Sequence, residues 1–547
     1  MTTTDQPILG TPAERAATSF PGTATRSRAH AAPTVTVGGL LRGIHPILFA
    51  IYPIFFLWSQ NVGEVAPPDV TDVLGATFLA ALAVTGIAWL LFVDRARGAL
   101  VATPAILGFL LYGHVANLKI PPQVEQGAWM ALMAGALVLA LKLPTRWIDR
   151  LDRGLRILAI ALIAIALVGI VPTEVEEATT PRTIIAAGKT LPNTTTAPRR
   201  DVYWLVFDRY GSNESFEVGY GVGNDLNAWL EDQGFEVLAG SHANYVGTAL
   251  SLSTTLNMTP LDQLTRGVPK TSNSYQPVYN MLQGSLVTRQ FQALGYRYLH
   301  LGSWWNPTRT DASADRNYNA DGVSDFASAM VEESLVPVLS EAFLPEELPP
   351  TEPAKHLKHN AWALNKLDSL PHEGGPKFVF AHILLPHPPY VFDKDGTYIE
   401  SPQRAGITEV EGWRGQLEYT NSRIRSFVSE LLAKPESEQP IIIIQADEGP
   451  WPEKYGADKY HFDWSKATDR EIEMKFGIMN AWYVPGGTDA LGLRQDQTAI
   501  NTFPTLFDKY FGLDYPALPD RSFASSWGRP YASIEITDRL EELEKDR

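Results

Sequence analysis

The sequence contains no cysteine. Disulfide scaffolds, thiolate zinc sites, iron–sulfur clusters and a cysteine nucleophile are therefore excluded. Positive charge is also short: 45 Lys and Arg stand against 61 Asp and Glu, a formal net charge of −16. Wrapping nucleic acid needs a basic face, so no nucleic-acid partner is expected. Residues 1–37 lack apolar periodicity and the short apolar core of a secretory signal. They read as a disordered cytoplasmic tail. What the chain does have is hydrophobic length. Apolar residues crowd the first third of its 547 residues, and charge crowds the rest.

Five apolar stretches follow the tail, at 44–59, 73–93, 98–116, 128–141 and 155–171. A spanning helix needs ~20 mostly apolar residues. The second, third and fifth satisfy this. The first carries Pro46 and Pro53, which membrane helices tolerate, and the fourth is short. The run LAIALIAIALVGIV has no polar face, as a helix of a soluble domain would. Arg26, Arg28 and Arg42 precede the first stretch, and Arg95 and Arg97 separate the second from the third. Lys142, Arg146, Arg150 and Arg153 separate the fourth from the fifth. The loops NVGEVAPPDVTD and NLKIPPQVEQG carry one lysine between them. Positive loops stay cytoplasmic, so the amino terminus is expected inside and everything after Val171 outside. The expected organisation is a tail (1–37), a five-helix transmembrane domain (38–172) and a linker (173–198). An extracytoplasmic domain (199–533) and a charged tail (534–547) complete it. The expected location is the plasma membrane.

The second part reads as α/β. VYWLVF (202–207), FEVLA (235–239), YRYLHL (296–301), FVFAHILL (378–385) and IIIIQA (441–446) read as strands. Helical patterns at 225–234, 354–369, 410–433 and 496–511 lie between or after them. Apolar runs alternating with helices predict a doubly wound parallel sheet covered on both faces. Ligands bind such sheets beyond the carboxyl ends of the strands.

Those ends carry chemistry. VYWLVF ends in Asp208, IIIIQA in Asp447-Glu448-Gly449, and FVFAHILL runs into Pro386-His387-Pro388. Three clustered carboxylates repel one another unless a cation sits among them, which points to a metal site. Thr248, in SHANYVGTALSLSTTLNM, stands where a helix begins. A helix amino terminus favours negative charge, and a hydroxyl that also touches a metal can lose its proton. Thr248 is therefore a candidate nucleophile, with Ser251 and Ser253 one turn further on. Each residue alone has a structural alternative. The aspartates can be turn formers, His387 a surface-loop histidine, and Thr248 a plain helix cap.

The order of VYWLVFDRYGS, SHANYVGTALSLSTTLNM, FVFAHILLPHPPYVFD and IIIIQADEGP resembles the alkaline phosphatase superfamily, in its sulfatase-like branch. Five spans before an extracytoplasmic domain is similar to the layout of lipoteichoic acid synthases and phosphoethanolamine transferases. The resemblance implies one metal held by Asp208, Thr248, Asp447 and Glu448, a phospho-threonine at Thr248, and phosphate binding by His387. It implies transfer of a phosphate-linked headgroup from a membrane lipid to a cell-envelope acceptor. The departures are informative. The sulfatase Cys-x-Pro-x-Arg motif is absent, so sulfate-ester hydrolysis is not expected. Glu448 stands where the family has histidine, which favours manganese, magnesium or calcium over zinc. Arg209 follows Asp208, so one metal is expected rather than two. His382 and His461 are further candidate ligands. Trp304, Trp305 and Arg309 are candidates for the pocket wall, with aromatic packing as the alternative for the tryptophans. A hydrolase of the same fold and a non-catalytic envelope protein are the competing readings.

Overall fold

The computed structural model describes residues 41–65, 67–116, 122–179, 188–320, 324–344 and 351–545. The expected tail 1–37 and the linker stretch 180–187 lie outside the described residues. Gly43–Arg547 forms one compact unit.

That unit opens with five main helices. They are α1 (His45–Gln60), α2 (Pro67–Leu91), α3 (Arg95–Leu110), α4 (Pro122–Lys142) and α5 (Thr145–Thr179). α2, α4 and α5 are long and apolar enough to cross a membrane. Their outward faces expose Ile87, Leu90, Leu132, Ile165 and Val168, as lipid-facing helices do. α1 and α3 have 16 residues each. At 1.5 Å per residue each is about 24 Å long, short of a hydrocarbon core of ~30 Å. By length and composition, then, three candidate spans stand among the described residues where five were expected. The apolar run 98–116 is divided at Leu111 between α3 and the short helix Tyr112–Ala116. α5 continues through Pro172 to Thr179, beyond the expected domain boundary.

The two ends of the bundle differ. At one end Asp152 accepts from Gly43 N (2.8 Å) and pairs with Arg156 (3.0 Å). There the Arg97 guanidinium also donates to Leu143 O (3.2 Å). The opposite end meets the α/β domain. Tyr275 N donates to Gly63 O (2.7 Å), Gly113 N to Glu333 O (3.0 Å), and Leu335 N to Phe109 O (2.8 Å).

The α/β domain is built on a seven-stranded sheet in the order β2-β7-β6-β1-β5-β3-β4. The strands are β1 (Val202–Phe207), β2 (Glu236–Val237), β3 (Arg297–Leu301), β4 (Arg316–Tyr318), β5 (Lys377–Ile383), β6 (Ile441–Gln445) and β7 (Asn480–Tyr483). β6, β1, β5, β3 and β4 are parallel, but β7 runs antiparallel to β6, and β2 to β7. The sheet is therefore mixed, not wholly parallel. The chain after β6 re-enters the sheet from the carboxyl edge, where Ala446 N bonds Met479 O (2.9 Å). It can then only run back along its neighbour.

Residues of β1 alternate between two cores. Tyr203, Leu205 and Phe207 pack into one, while Val202, Trp204 and Val206 pack into the other. Two-sided burial explains the continuous apolar runs. One face is covered by α7 (Glu352–Ser369) and α8 (Glu409–Leu432), which contribute Leu364, Leu367, Phe427 and Val428. The other is covered by α6 (Thr248–Asn257) through Leu252 and Leu256, together with Phe503 and Phe507. FEVLA survives as a two-residue strand. The expected helix over 496–511 is three short turns, Ala499–Asn501, Thr502–Thr505 and Leu506–Tyr510. Pro504 removes one donor from any continuous ladder there.

Candidate active site

β6, β1 and β5 are adjacent and parallel, so their carboxyl ends share one edge. Asp208 follows β1, Asp447 lies two residues after β6, and His382 sits near the end of β5 opposite Val206. One ligand atom from each of Asp208, His382 and Asp447 lies within 4.8 Å of the others, and all three residues are buried. Among the described residues, Asp208 Oδ1, both Asp447 carboxylate oxygens and His382 Nε2 have no hydrogen-bond partner. Burial, then Asp447 and Glu448, raises the Asp208 carboxyl well above its ordinary value. Burial, then Glu448, pushes Asp447 up to about 7. Burial pushes His382 down to about 3, so the ring is neutral.

The other nitrogen, His382 Nδ1, is 2.7 Å from Thr308 Oγ1, which is itself 2.8 Å from Ser303 Oγ. With the proton on Nδ1, the lone pair of Nε2 points at the two aspartates. Metal-binding histidines are held in this way by a partner on the second nitrogen. Two carboxylates and a neutral imidazole, buried together with four unpartnered atoms, fit a divalent cation.

Thr248 begins α6. Its N-cap is Gly247, with no side-chain cap, so no side chain takes up the N–H groups of Thr248 and Ala249, while Leu250 N donates to Gly247 O (3.2 Å). Thr248 is half-buried, and its hydroxyl lies close enough to Asp447 to favour the ionised carboxylate. Ser251 and Ser253 are buried inside the same helix, and Ser253 donates to Leu250 O (3.2 Å).

Glu448 was expected to be a metal ligand, but its carboxylate is engaged elsewhere. It pairs with Lys475 Nζ (2.6 Å), lies 3.5 Å from Arg209 Nε, and accepts from Trp451 Nε1 (2.7 Å). Burial works against its charge, yet Lys475 and Arg209 hold Glu448 below the usual carboxylate range. Lys475 lies at the end of α9 (Asp469–Phe476), a helix fixed by a capping box between Thr468 and Glu471. Arg209 has φ +61°, rare for a residue with a side chain, and its guanidinium lies 3.6 Å from the centre of the Trp451 ring.

His387 is held by its backbone, since Gln416 Nε2 donates to His387 O (2.8 Å). Its ring lies 6.1 Å from Trp304 and 6.2 Å from His356. Burial, then Arg209, lowers its pKa well below normal, so it is neutral. Trp305 packs edge-on against Tyr279 (5.5 Å) and His382 (6.1 Å). Arg309 closes the turn Asn306–Thr308 with its backbone N–H. His461 is on the surface, bonded to Asp458 (3.0 Å), away from the cluster. The sequence signal for His382, a further candidate ligand, is the one polar residue inside the apolar run FVFAHILL. Nothing local to EMKFGIM marks Lys475, and nothing in NPT marks Thr308.

No family model matches the chain, and no curated protein matches it. Among solved structures, the chain is similar to the integral membrane lipooligosaccharide phosphoethanolamine transferase A of Neisseria meningitidis. That match has 13% identity, a TM-score of 0.38, and covers 86% of this chain and 95% of that one. It is also similar to the C-terminal periplasmic domain of phosphoethanolamine transferase EptC from Campylobacter jejuni, at 12% identity and a TM-score of 0.37, over 60% of this chain and 94% of that one. A phosphonate monoester hydrolase of Agrobacterium radiobacter is similar at 13% identity and a TM-score of 0.35, over 59% of this chain and 80% of that one. At such values the chemistry of this chain rests on its own residues.

Proposed function

We propose that the protein is a membrane-anchored, metal-dependent phosphotransferase. In this reading it moves a phosphate-linked headgroup from a lipid donor to a cell-envelope acceptor through a phospho-threonine at Thr248. One observation carries it: a half-buried hydroxyl at a helix amino terminus without a side-chain cap stands beside Asp447, which clusters with Asp208 and His382 around facing ligand atoms. A divalent ion held by those three would polarise a phosphoryl oxygen and lower the pKa of a hydroxyl that it touches. With an imidazole in the set and Glu448 outside it, the donors suit zinc or manganese better than magnesium or calcium.

The remaining roles belong to the chain. Thr248 Oγ1 bonds to phosphorus as the bond to the lipid alcohol breaks, and the hydroxyl proton leaves with that alcohol. His387, neutral and rigidly held, is assigned to bind the phosphate or to pass on that proton. The amino terminus of α6 offers its N–H groups to the phosphoryl charge. An acceptor hydroxyl then attacks the phospho-threonine and restores Thr248. Five crossings with the amino terminus inside belong to the same proposal. The α/β domain rests on 61–65 and 109–113, near the two loops that carry a single lysine between them, which supports it.

The test is intact-protein mass spectrometry after mixing the full chain, zinc or manganese, and phospholipid vesicles. A headgroup-phosphate adduct on the parent, absent from Thr248→Ala, is expected. Diacylglycerol released in many-fold excess over the protein without any acceptor, which needs water to turn the phospho-threonine over, would make the protein a hydrolase. Neither adduct nor release would leave a non-catalytic protein.

A further inference from the structure

The membrane part and the α/β domain meet at the site itself. Segment 61–65, between α1 and α2, approaches the domain so closely that a Cβ on Gly63 would sit 2.2 Å from Asn273 O. Next to it, Glu64 Oε1 accepts from Trp527 Nε1 (2.7 Å) and from the Tyr460 hydroxyl (2.8 Å). The Trp527 ring lies against Gly247, where a Cβ would be 3.3 Å from the indole and φ is +91°. Gly247 immediately precedes Thr248. A few residues beyond Glu64, in the first turn of α2, Asp69 Oδ2 accepts from Asn306 Nδ2 (2.7 Å). Asn306 opens the turn Asn306–Thr308, and Thr308 is the residue that holds His382.

We infer that the membrane part supplies two positioning residues to the catalytic site. Glu64 acts on Thr248 through Trp527, and Asp69 acts on His382 through the Asn306–Thr308 turn. The inference rests on the proposed function for its Thr248 arm only. A carboxylate bonded to an indole N–H is a charge-assisted contact and fixes the ring plane. That plane buttresses a glycine whose left-handed backbone needs its surroundings to hold it. On the other side, the carboxamide of Asn306 is oriented by Asp69, which settles the turn that carries Thr308. Both sides of the site are thus gripped from one short stretch of the membrane part. The site is complete only when the domain is seated on the bundle, beside its lipid donor.

The test uses the full chain in vesicles, with Glu64→Ala, Asp69→Ala, the acceptor-keeping Glu64→Gln and Asp69→Asn, and His114→Ala. His114 ties the same two parts together through Glu333 (2.5 Å), a contact outside both chains of bonds to the site. Two readouts are taken: zinc affinity against a competing chelator, and the single-turnover rate of Thr248 phosphorylation. Glu64→Ala is expected to slow phosphorylation about 10–100-fold, the scale of a small misplacement of a reacting group, with zinc affinity unchanged. Asp69→Ala is expected to weaken zinc about tenfold, the low end for an outer-shell partner. Glu64→Gln and Asp69→Asn are expected to keep most of the parent values, and His114→Ala to match the parent. Parent-like values in both alanine variants would overturn the inference. Equal losses in His114→Ala would overturn it too, by showing a plain docking contact. If the parent itself never phosphorylates Thr248, the proposed function has failed, and the zinc arm alone decides the inference.

Discussion

At the scale of single residues, the site separates its charges into two groups. Asp208 and Asp447 face an imidazole with no cation of the protein's own between them, whereas Glu448 has its cations already. The Glu448–Lys475 pair is buried on both sides. Removing Lys475 leaves the buried Glu448 carboxylate with only the more distant Arg209 as its cation. Lys475→Met is therefore expected to cost roughly 3 kcal/mol, measured by urea unfolding of the full chain. Glu448→Gln with Lys475→Met is expected to recover most of that loss. A second residue-scale expectation concerns acid. Burial pushes His359 down to about 4, while its Nε2 lies 3.0 Å from Gly302 O. The unfolded chain binds a proton near pH 6.5, and the folded chain does so only near 4. Between those values the unfolded state holds more protons, so stability falls as pH falls through that window. His359→Gln is expected to remove up to ~3 kcal/mol of that loss, read from melting at pH 7 and pH 4.5.

At the scale of elements, the geometry of the candidate site follows from three neighbouring strands and one helix. Asp208, Asp447 and Thr248 were legible in the sequence because each ends or begins an element whose type its apolar pattern declares. His382 was harder to rank, because it lies inside β5 and a buried strand residue reads first as core. Thr308 and Lys475 were illegible for another reason. Their partners, His382 and Glu448, lie far along the chain, and no local pattern encodes such a pairing. The expectation of a parallel sheet failed at the β7 edge because an apolar strand carries no direction in its composition. The turn Asn306–Thr308 yields its own test. Thr308→Val keeps the shape of the side chain and removes the hydroxyl facing His382 Nδ1. It is expected to weaken zinc binding about 10–100-fold with little change in fold, measured by chelator competition and circular dichroism.

At the scale of the whole molecule, the absence of cysteine becomes an experimental advantage. Single introduced cysteines report topology without background. Lys454 is exposed on the α/β domain. Lys454→Cys is expected to react with a membrane-impermeant maleimide in intact cells, and Arg150→Cys only after permeabilisation. The reverse pattern would place the domain inside.

α2 has 25 residues, which makes it about 37 Å long, several ångströms more than a hydrocarbon core of ~30 Å. A helix longer than its bilayer is wide leans over, and it leans further as the bilayer thins. Asp69 rides on the outer end of that helix, bonded to Asn306. Leaning α2 therefore drags on the turn that steadies His382. Lipid acyl-chain length becomes a quantity the site can feel, and under the proposed function phosphorylation of Thr248 is expected to rise and fall with the thickness of the membrane around α2.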